Sequence, residues 1–159
     1  MKYFLCLGSN LGRRKHNLKL AVALLREEGI RVIRSSSLYE TEPVDIPTQP
    51  WYYNQVIETE ADFSPWELLK LAKEIEKRMG RKASAQKKPR QIDIDILLAE
   101  NKVIRTKELV IPHPRLEKRN FVLIPLGEIA PDFVHPVLKI KIKVLAKKSE
   151  DPSLVRKLN

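Results

Sequence analysis

Asp93 and Asp95 are the side chains whose type and spacing point most directly to chemistry. They stand two apart in Gln91-Ile92-Asp93-Ile94-Asp95-Ile96-Leu97, so on a strand both project from one face, with Cα atoms ~7 Å apart. Two carboxylates aimed into one space repel and raise each other's pKa unless a cation lies between them. Magnesium takes one or two carboxylates and completes its shell with phosphate oxygens and water. The same spacing also describes the solvent-facing side of an amphipathic strand. The neighbouring stretch favours the first reading: Arg81-Lys82-Ala83-Ser84-Ala85-Gln86-Lys87-Lys88-Pro89-Arg90 holds five basic residues and no acid. Cations for phosphate beside carboxylates for metal is the division of labour that phosphoryl transfer requires. No G-x-x-x-x-G-K-[ST] segment occurs, and Gly8-Ser9-Asn10-Leu11-Gly12 has neither its spacing nor its lysine. A nucleotide bound here must be held by side chains.

The chain as a whole fits an anionic ligand. Its 159 residues carry 30 Lys+Arg against 20 Asp+Glu, a net charge of +10, which by itself does not separate nucleic acid from a nucleoside triphosphate. A second basic stretch from Lys139 to the end has seven basic residues to two acidic ones and reads as a solvated, lysine-rich surface. With 43% hydrophobic residues, a chain of this length buries enough surface to fold as a single domain over 1–159. Cys6 is the sole cysteine, which excludes an internal disulfide and every multi-cysteine metal site and favours a reducing compartment. No apolar run approaches the ~20 residues of a membrane helix. Met1-Lys2-Tyr3 opens straight into a strand pattern, and the expectation is a soluble, cytoplasmic protein.

The elements that must position these residues follow from periodicity. Tyr3–Leu7 is apolar on both alternating sides, as a strand buried on both faces would be. Arg14–Glu28 has helical spacing and stops at Gly29. Ile30–Tyr39 reads as a strand, and residues 40–51, with Pro43, Pro47 and Pro50, as a long shaped loop. Tyr52–Ala61 resumes a period of two. Ser64-Pro65-Trp66-Glu67 has the form of a capping box opening a helix to Met79, and Gln91–Leu98 is a further strand. Strand, helix, strand, strand, helix, strand is the order of a ferredoxin-like α+β sandwich, a mainly antiparallel sheet with helices packed on it. Residues 101–111 read as short hairpin strands, and Leu116–Ile129 as a helix containing Pro125. Beyond Pro136, Val137–Val144 alternates like a strand, while Leu145–Lys148 and Leu154–Leu158 have helical spacing.

Along almost its whole length the chain resembles the 6-hydroxymethyl-7,8-dihydropterin pyrophosphokinases of folate biosynthesis. The resemblance rests on Leu7-Gly8-Ser9-Asn10-Leu11-Gly12, Ser37-Leu38-Tyr39-Glu40-Thr41, Tyr52-Tyr53-Asn54, Gly80-Arg81 and Pro89-Arg90-Gln91-Ile92-Asp93-Ile94-Asp95-Ile96-Leu97. It continues through Ile111-Pro112-His113-Pro114-Arg115-Leu116-Glu117-Lys118-Arg119-Asn120-Phe121 and Pro125-Leu126-Gly127-Glu128-Ile129-Ala130-Pro131. Each segment is modest alone; their order and spacing are specific.

The resemblance implies transfer of the β,γ-pyrophosphoryl group of ATP to the primary alcohol of the pterin, with release of AMP. Asp93 and Asp95 would hold two magnesium ions, and Arg81 and Arg90 would bind phosphate beside them as the catalytic set. Lys87 and Lys88 add charge on the same side. His113 and Arg119 match residues on the family's nucleotide side, where Ile96, Lys73 and Glu76 also belong. For the pterin, a flat heteroaromatic, Tyr52 and Phe121 match the family's stacking pair. Asn54 would read the ring edge, Thr41 and Val44 would contribute from the proline loop, and Gly8 would permit close approach. The implied partners are ATP and 6-hydroxymethyl-7,8-dihydropterin, taken up by a monomer with no nucleic acid or membrane involved.

The chain departs from the family pattern in three places. The basic loop is a residue shorter and has Ala83 and lysines where the family commonly has a second arginine and a tryptophan. Glu42 and Asp45 replace small or apolar residues in the proline loop. Lys73 stands where a glutamine is frequent, while Glu76 is retained. The alternative from another class is a non-catalytic nucleic-acid-binding ferredoxin-like module, since such sheets do bind RNA. Against it, no run of aromatics falls on adjacent strands, and aromatics make up only 6% of the chain.

Overall fold

The strand expected to be buried on both sides lies at the centre of the sheet. The computed structural model describes residues 1–81 and 88–158. In it, β1 (Lys2–Ser9) pairs antiparallel with β4 (Tyr52–Glu60) on one side and with β5 (Asp93–Ala99) on the other. β2 (Arg31–Ser35) and β3 (Tyr39–Thr41) lie along successive halves of β4, and a last strand, β8 (Val155–Lys157), adds to β3. The sheet order is β5-β1-β4-β3-β8, with β2 beside β4. Helix α1 (Arg14–Glu27) follows β1, and α2 (Pro65–Arg78) joins β4 to β5. This is the ferredoxin-like α+β topology that the element order predicts.

Alternation along β1 divides the core in two. Tyr3, Leu5 and Leu7 face Leu18, Ala21 and Leu25 of α1 and Leu68, Ala72 and Ile75 of α2. Phe4 and Cys6 point the other way, toward α3 (Asn120–Ile129) and α4 (Ile142–Lys148). The expected capping box opens α2: the Ser64 hydroxyl accepts from Glu67 N–H, and the Glu67 carboxylate accepts from Ser64 N–H. A small two-stranded sheet of β6 (Ile104–Arg105) and β7 (Val110–Ile111) follows β5. The chain after it is tied back to the main sheet where His113 N–H donates to Leu97 O at 2.9 Å.

The structure corrects three expectations. The strand over Ile30–Tyr39 is broken, because Ser35 faces Ile57 while Tyr39 faces Asn54, so three residues stand opposite two. The Ser36 hydroxyl accepts the Val56 N–H at 3.0 Å within this bulge. The helix over Leu116–Ile129 is divided into a 3-10 turn (Leu116–Lys118) and α3, with Arg119 extended between them. At the C-terminal end the helix expected over Leu145–Lys148 is present but begins at Ile142, so residues 142–144 are helical where alternation was expected. Val155–Lys157 is a strand, not a helix, because the free edge of β3 is there to pair with. Runs this short do not distinguish the two periods, and tertiary partners decide. No helix among the described residues is long and apolar enough to cross a membrane.

Candidate active site

Register builds the floor of the site. Asn54, Gly8 and Asp93 form one row across β4, β1 and β5, and Val56, Cys6 and Asp95 form the next. The α3–α4 layer covers Phe4, Cys6, Val56 and Leu98 but stops short of the first row. The end of this face is left open beneath residues 42–49 and the start of α3. A cavity of about 110 Å³ occupies it, and Gly8, Thr41, Val44, Tyr52, Asn54 and Phe121 all line it. Asn54 and Thr41 are buried, and Asn54 Nδ2 donates to Thr41 Oγ1. Gly8 meets a physical need, since a Cβ there would lie 2.6 Å from Asn54 Oδ1.

A second cavity, of about 470 Å³, opens along the outer side of β5. Lys73, Glu76, Arg81, Ile96 and His113 line it, with Lys107 and Leu109 from the β6–β7 hairpin. The two cavities share Arg90, Asp93, Asp95 and Arg119. Of the residues expected on the nucleotide side, Lys88 is exposed and lines neither cavity. Lys87 lies outside the described residues.

The junction is densely charged. Asp93 accepts from Arg81 at 2.8 Å and from Arg90 at 3.1 Å, and Arg81 also pairs with Glu76 at 3.0 Å. The second role of Glu76 is to accept Ile94 N–H at 2.8 Å, which fixes the start of β5. Burial pushes the Asp95 carboxyl up to about 7, and the nearby Asp93 and Glu76 charges add to the shift. Burial, reinforced by Arg119, takes His113 down to about 4, so its ring is neutral at pH 7. His113 Nδ1 accepts from Arg115 N–H at 3.3 Å, which leaves the proton on Nε2 as a donor. Arg90 Nε is buried without a hydrogen-bond partner among the described residues. Unpaired donors of this kind are rare outside functional sites.

The donor set fits magnesium. Asp93 and Asp95 present hard oxygen donors from one strand face, and burial beside the Asp93 and Glu76 charges disfavours an ionised Asp95 carboxyl, a penalty that a bound cation would offset. Among the described residues no group of three or more His, Cys, Asp or Glu side chains is assembled to hold a metal. The set therefore suits a cation that draws its remaining ligands from a phosphate-bearing substrate.

Several residues at the site were not singled out from sequence. Asn10 bonds Arg90 twice through the backbone, N–H to Arg90 O at 3.0 Å and Oδ1 from Arg90 N–H at 2.6 Å. Its Nδ2 reaches Gln49 Oε1 and Pro50 O, each at 3.2 Å, so it joins the proline loop to the arginine. Asp45 bridges the mouth of the first cavity to Arg115 and Arg119 at 3.6 and 3.7 Å. The unusual acid at this position was the available signal. Cys6 lies in the cavity floor, and nothing in the sequence distinguishes it from a core residue.

Fold and site together define a ferredoxin-like α+β protein in which two cavities meet at one carboxylate–arginine junction. Residues 4–131 match the model of the 7,8-dihydro-6-hydroxymethylpterin-pyrophosphokinase (HPPK) family. The chain is 41% identical over 140 residues to the 2-amino-4-hydroxy-6-hydroxymethyldihydropteridine pyrophosphokinase of Aquifex aeolicus, covering 88% of this chain and 87% of that one. The chain belongs to the HPPK family, whose reaction is pyrophosphate transfer to hydroxymethyldihydropterin in folate biosynthesis. It is also 41% identical over 139 residues to the folic acid synthesis protein fol1 of Pneumocystis carinii; this match takes in 87% of the chain but spans only 19% of that longer relative. The crystal structure of wild-type Plasmodium falciparum HPPK-DHPS shares the fold, with a TM-score of 0.72 at 19% identity over 92% of this chain and 40% of that one. The comparisons give the nucleic-acid-binding alternative no support.

Proposed function

We propose that the protein transfers the β,γ-pyrophosphoryl group of ATP to the hydroxymethyl oxygen of 6-hydroxymethyl-7,8-dihydropterin, forming the pterin diphosphate and AMP in the presence of magnesium. One observation carries the reading: two cavities of different shape and lining meet at Arg90, Asp93, Asp95 and Arg119. The first suits a flat ring, with Tyr52 and Phe121 for its faces and the Asn54–Thr41 pair for its polar edge. The second suits a triphosphate, with Arg81, Arg90, Arg119 and the neutral His113 as donors. Asp93 and Asp95 would hold magnesium, which when bound neutralises triphosphate charge and makes phosphorus more electrophilic. The chain's own contribution is placement, since holding the alcohol oxygen against the β-phosphorus makes the encounter effectively intramolecular. The new O–Pβ bond forms as the bond from Pβ to the α-phosphate oxygen breaks, AMP leaves, and the hydroxyl proton is released. Cys6 is a buried free thiol, which suits a reducing compartment, and the proposal is of a monomer acting in the cytoplasm.

The test is to mix protein, magnesium, ATP and 6-hydroxymethyl-7,8-dihydropterin and resolve the nucleotides. One AMP per pterin diphosphate is the expected result. ADP would overturn pyrophosphoryl transfer in favour of single-phosphoryl transfer, and no turnover by folded protein would overturn the assignment altogether.

A further inference from the structure

The family match ends at residue 131, yet the chain beyond it returns to both walls of the first cavity. On one wall, Asp151 Oδ2 accepts Asn120 N–H at 2.8 Å, and Asn120 Nδ2 donates to Asp151 O at 2.9 Å. Asn120 stands between Arg119 and Phe121, which both line the cavity. Helix α3 begins here with no side-chain cap of its own and no acid in its first turn, so Asp151 supplies the acceptor from 31 residues away. On the opposite wall, Leu154 O accepts Glu42 N–H at 3.0 Å. Val155 and Arg156 pair in register with Thr41 and Glu40, and Arg156 also forms an ion pair with Glu40. Thr41 and Glu42 line the cavity. Between the two anchors, Asp151 Oδ1 accepts from Ser153 N–H at 2.9 Å and from the Ser153 hydroxyl, which folds residues 151–154 into a tight turn.

We propose that residues 151–156 form a strap that sets the separation of the two walls of the pterin cavity, with Asp151 as the positioning residue joining them. The inference rests on the assignment of this cavity to the pterin. Burial alone would push the Asp151 carboxyl up, but the bonds from Ser153 and Asn120, with Arg119 nearby, hold it below its ordinary range, so it is ionised and engaged. Thr41 is paired with Tyr52 in the sheet, so the strap ties the strand edge beside one stacking ring to the helix end that carries the other, Phe121. A flat ring between them loses contact energy steeply when they part by even a fraction of an ångström. A brace outside the cavity therefore controls affinity without touching the ligand.

Hydrogen exchange on the free protein and titration with fluorescent 6-hydroxymethylpterin, in magnesium and non-cleavable α,β-methylene ATP, test this together. Asp151→Ala is expected to speed exchange of the Asn120–Leu123 amides and of the Glu42 amide on the far wall, and to weaken pterin binding about tenfold, a typical result of misplacing a recognition wall. Asp151→Asn keeps one acceptor oxygen and should restore protection at one wall only. Asp132→Ala removes an exposed carboxylate that pairs with Lys141 and Lys143 and should change neither readout. Wild-type exchange at both walls in Asp151→Ala, or faster exchange with unchanged pterin affinity, overturns the strap. Failure of the wild type to form AMP would overturn the reaction instead, and the exchange comparison would then decide the strap by itself.

Discussion

Replacing Gly8 by alanine isolates the close approach on which the cavity floor depends. The added Cβ would lie 2.6 Å from Asn54 Oδ1 and 3.4 Å from Tyr52 Cδ1. Tolerable carbon–oxygen contact begins at ~3.4 Å, so the Asn54 amide must withdraw by roughly 0.8 Å against that limit. It is not free to do so, because Asn54 is only 3% exposed and its Nδ2 is bonded to Thr41. Gly8 has no positive φ, so the methyl group and not the backbone is the perturbation. Overpacking a dense site costs about 1–3 kcal/mol, which in a chain of this size lowers Tm by roughly 2–12 °C. Recognition suffers more, since a displacement approaching 1 Å in a positioning group costs on the order of 100-fold in kcat/KM for the pterin. Nucleotide affinity should hold, because neither Gly8 nor Asn54 lines the second cavity. The decisive assay is a double-mutant cycle with Asn54→Ala. Once the amide is gone the methyl group has room, so the two substitutions should be coupled by more than about 1 kcal/mol. Additive losses, or wild-type pterin binding by Gly8→Ala, would refute the reasoning.

Three further outcomes are expected. Asp95→Ala should lose transfer far more than pterin binding, since Asp95 belongs to the junction and not to the ring-facing walls; near-normal turnover at saturating magnesium would show otherwise. Magnesium and ATP should each bind more weakly alone than together, because Asp93 is already engaged by Arg81 and Arg90 and a lone cation or a lone triphosphate leaves half of that cluster unpaired; calorimetric titration showing independent binding would contradict this. Glu128 accepts from Tyr39 Oη at 2.6 Å and from Ser37 N–H and Oγ, and although burial pushes its carboxyl up, these bonds outweigh it and lower the folded-state pKa below 4.5. Its contribution is therefore complete above pH 4.5 and lost as pH falls through the lower folded value. After discounting for solvent exposure, Glu128→Gln should cost about 1 kcal/mol at pH 7, with the gap in Tm closing as the carboxylate protonates in acid; a gap independent of pH would rule the linkage out.

Legibility in the sequence followed the range of the interactions. Asp93 and Asp95 could be placed on one face because a strand's period of two is local, and the Ser64–Glu67 box because it spans one helical turn. Both faces of Tyr3–Leu7 were read as buried from its composition alone, and that burial fixes which side of the sheet Cys6 and Gly8 occupy. Ser36 could not be read as a bulge, since nothing in its own sequence states that three residues will face two of β4. Leu154–Leu158 has helical spacing, but the open edge of β3 pairs with Val155–Lys157, and that edge is set more than 110 residues away. Asn10 was visible as part of a motif, yet its role as the clasp between Gln49, Pro50 and Arg90 depends on three segments converging. Asp45 was visible as an unexpected acid, but its partners Arg115 and Arg119 follow from the docking of α3.

The site divides accordingly into a part fixed by the sheet and a part held by long-range bonds. The row Asn54–Gly8–Asp93 is defined by ladder hydrogen bonds on both sides of β1, which leaves little freedom in the distance from the Asn54 amide to the Asp93 carboxylate. Everything above that row is held from afar: Arg90 by Asn10, Arg119 and Phe121 by Asp151 through Asn120, and Thr41 and Glu42 by β8. Two departures from the family pattern, Glu42 and Asp45, fall in this upper part, where new side chains can be accommodated without disturbing the ladder. The chemistry needs fixed spacing between the carboxylates and the reacting alcohol, while ligand entry needs walls that can part. Strand register meets the first requirement, and walls tied by a few hydrogen bonds and exposed ion pairs meet the second.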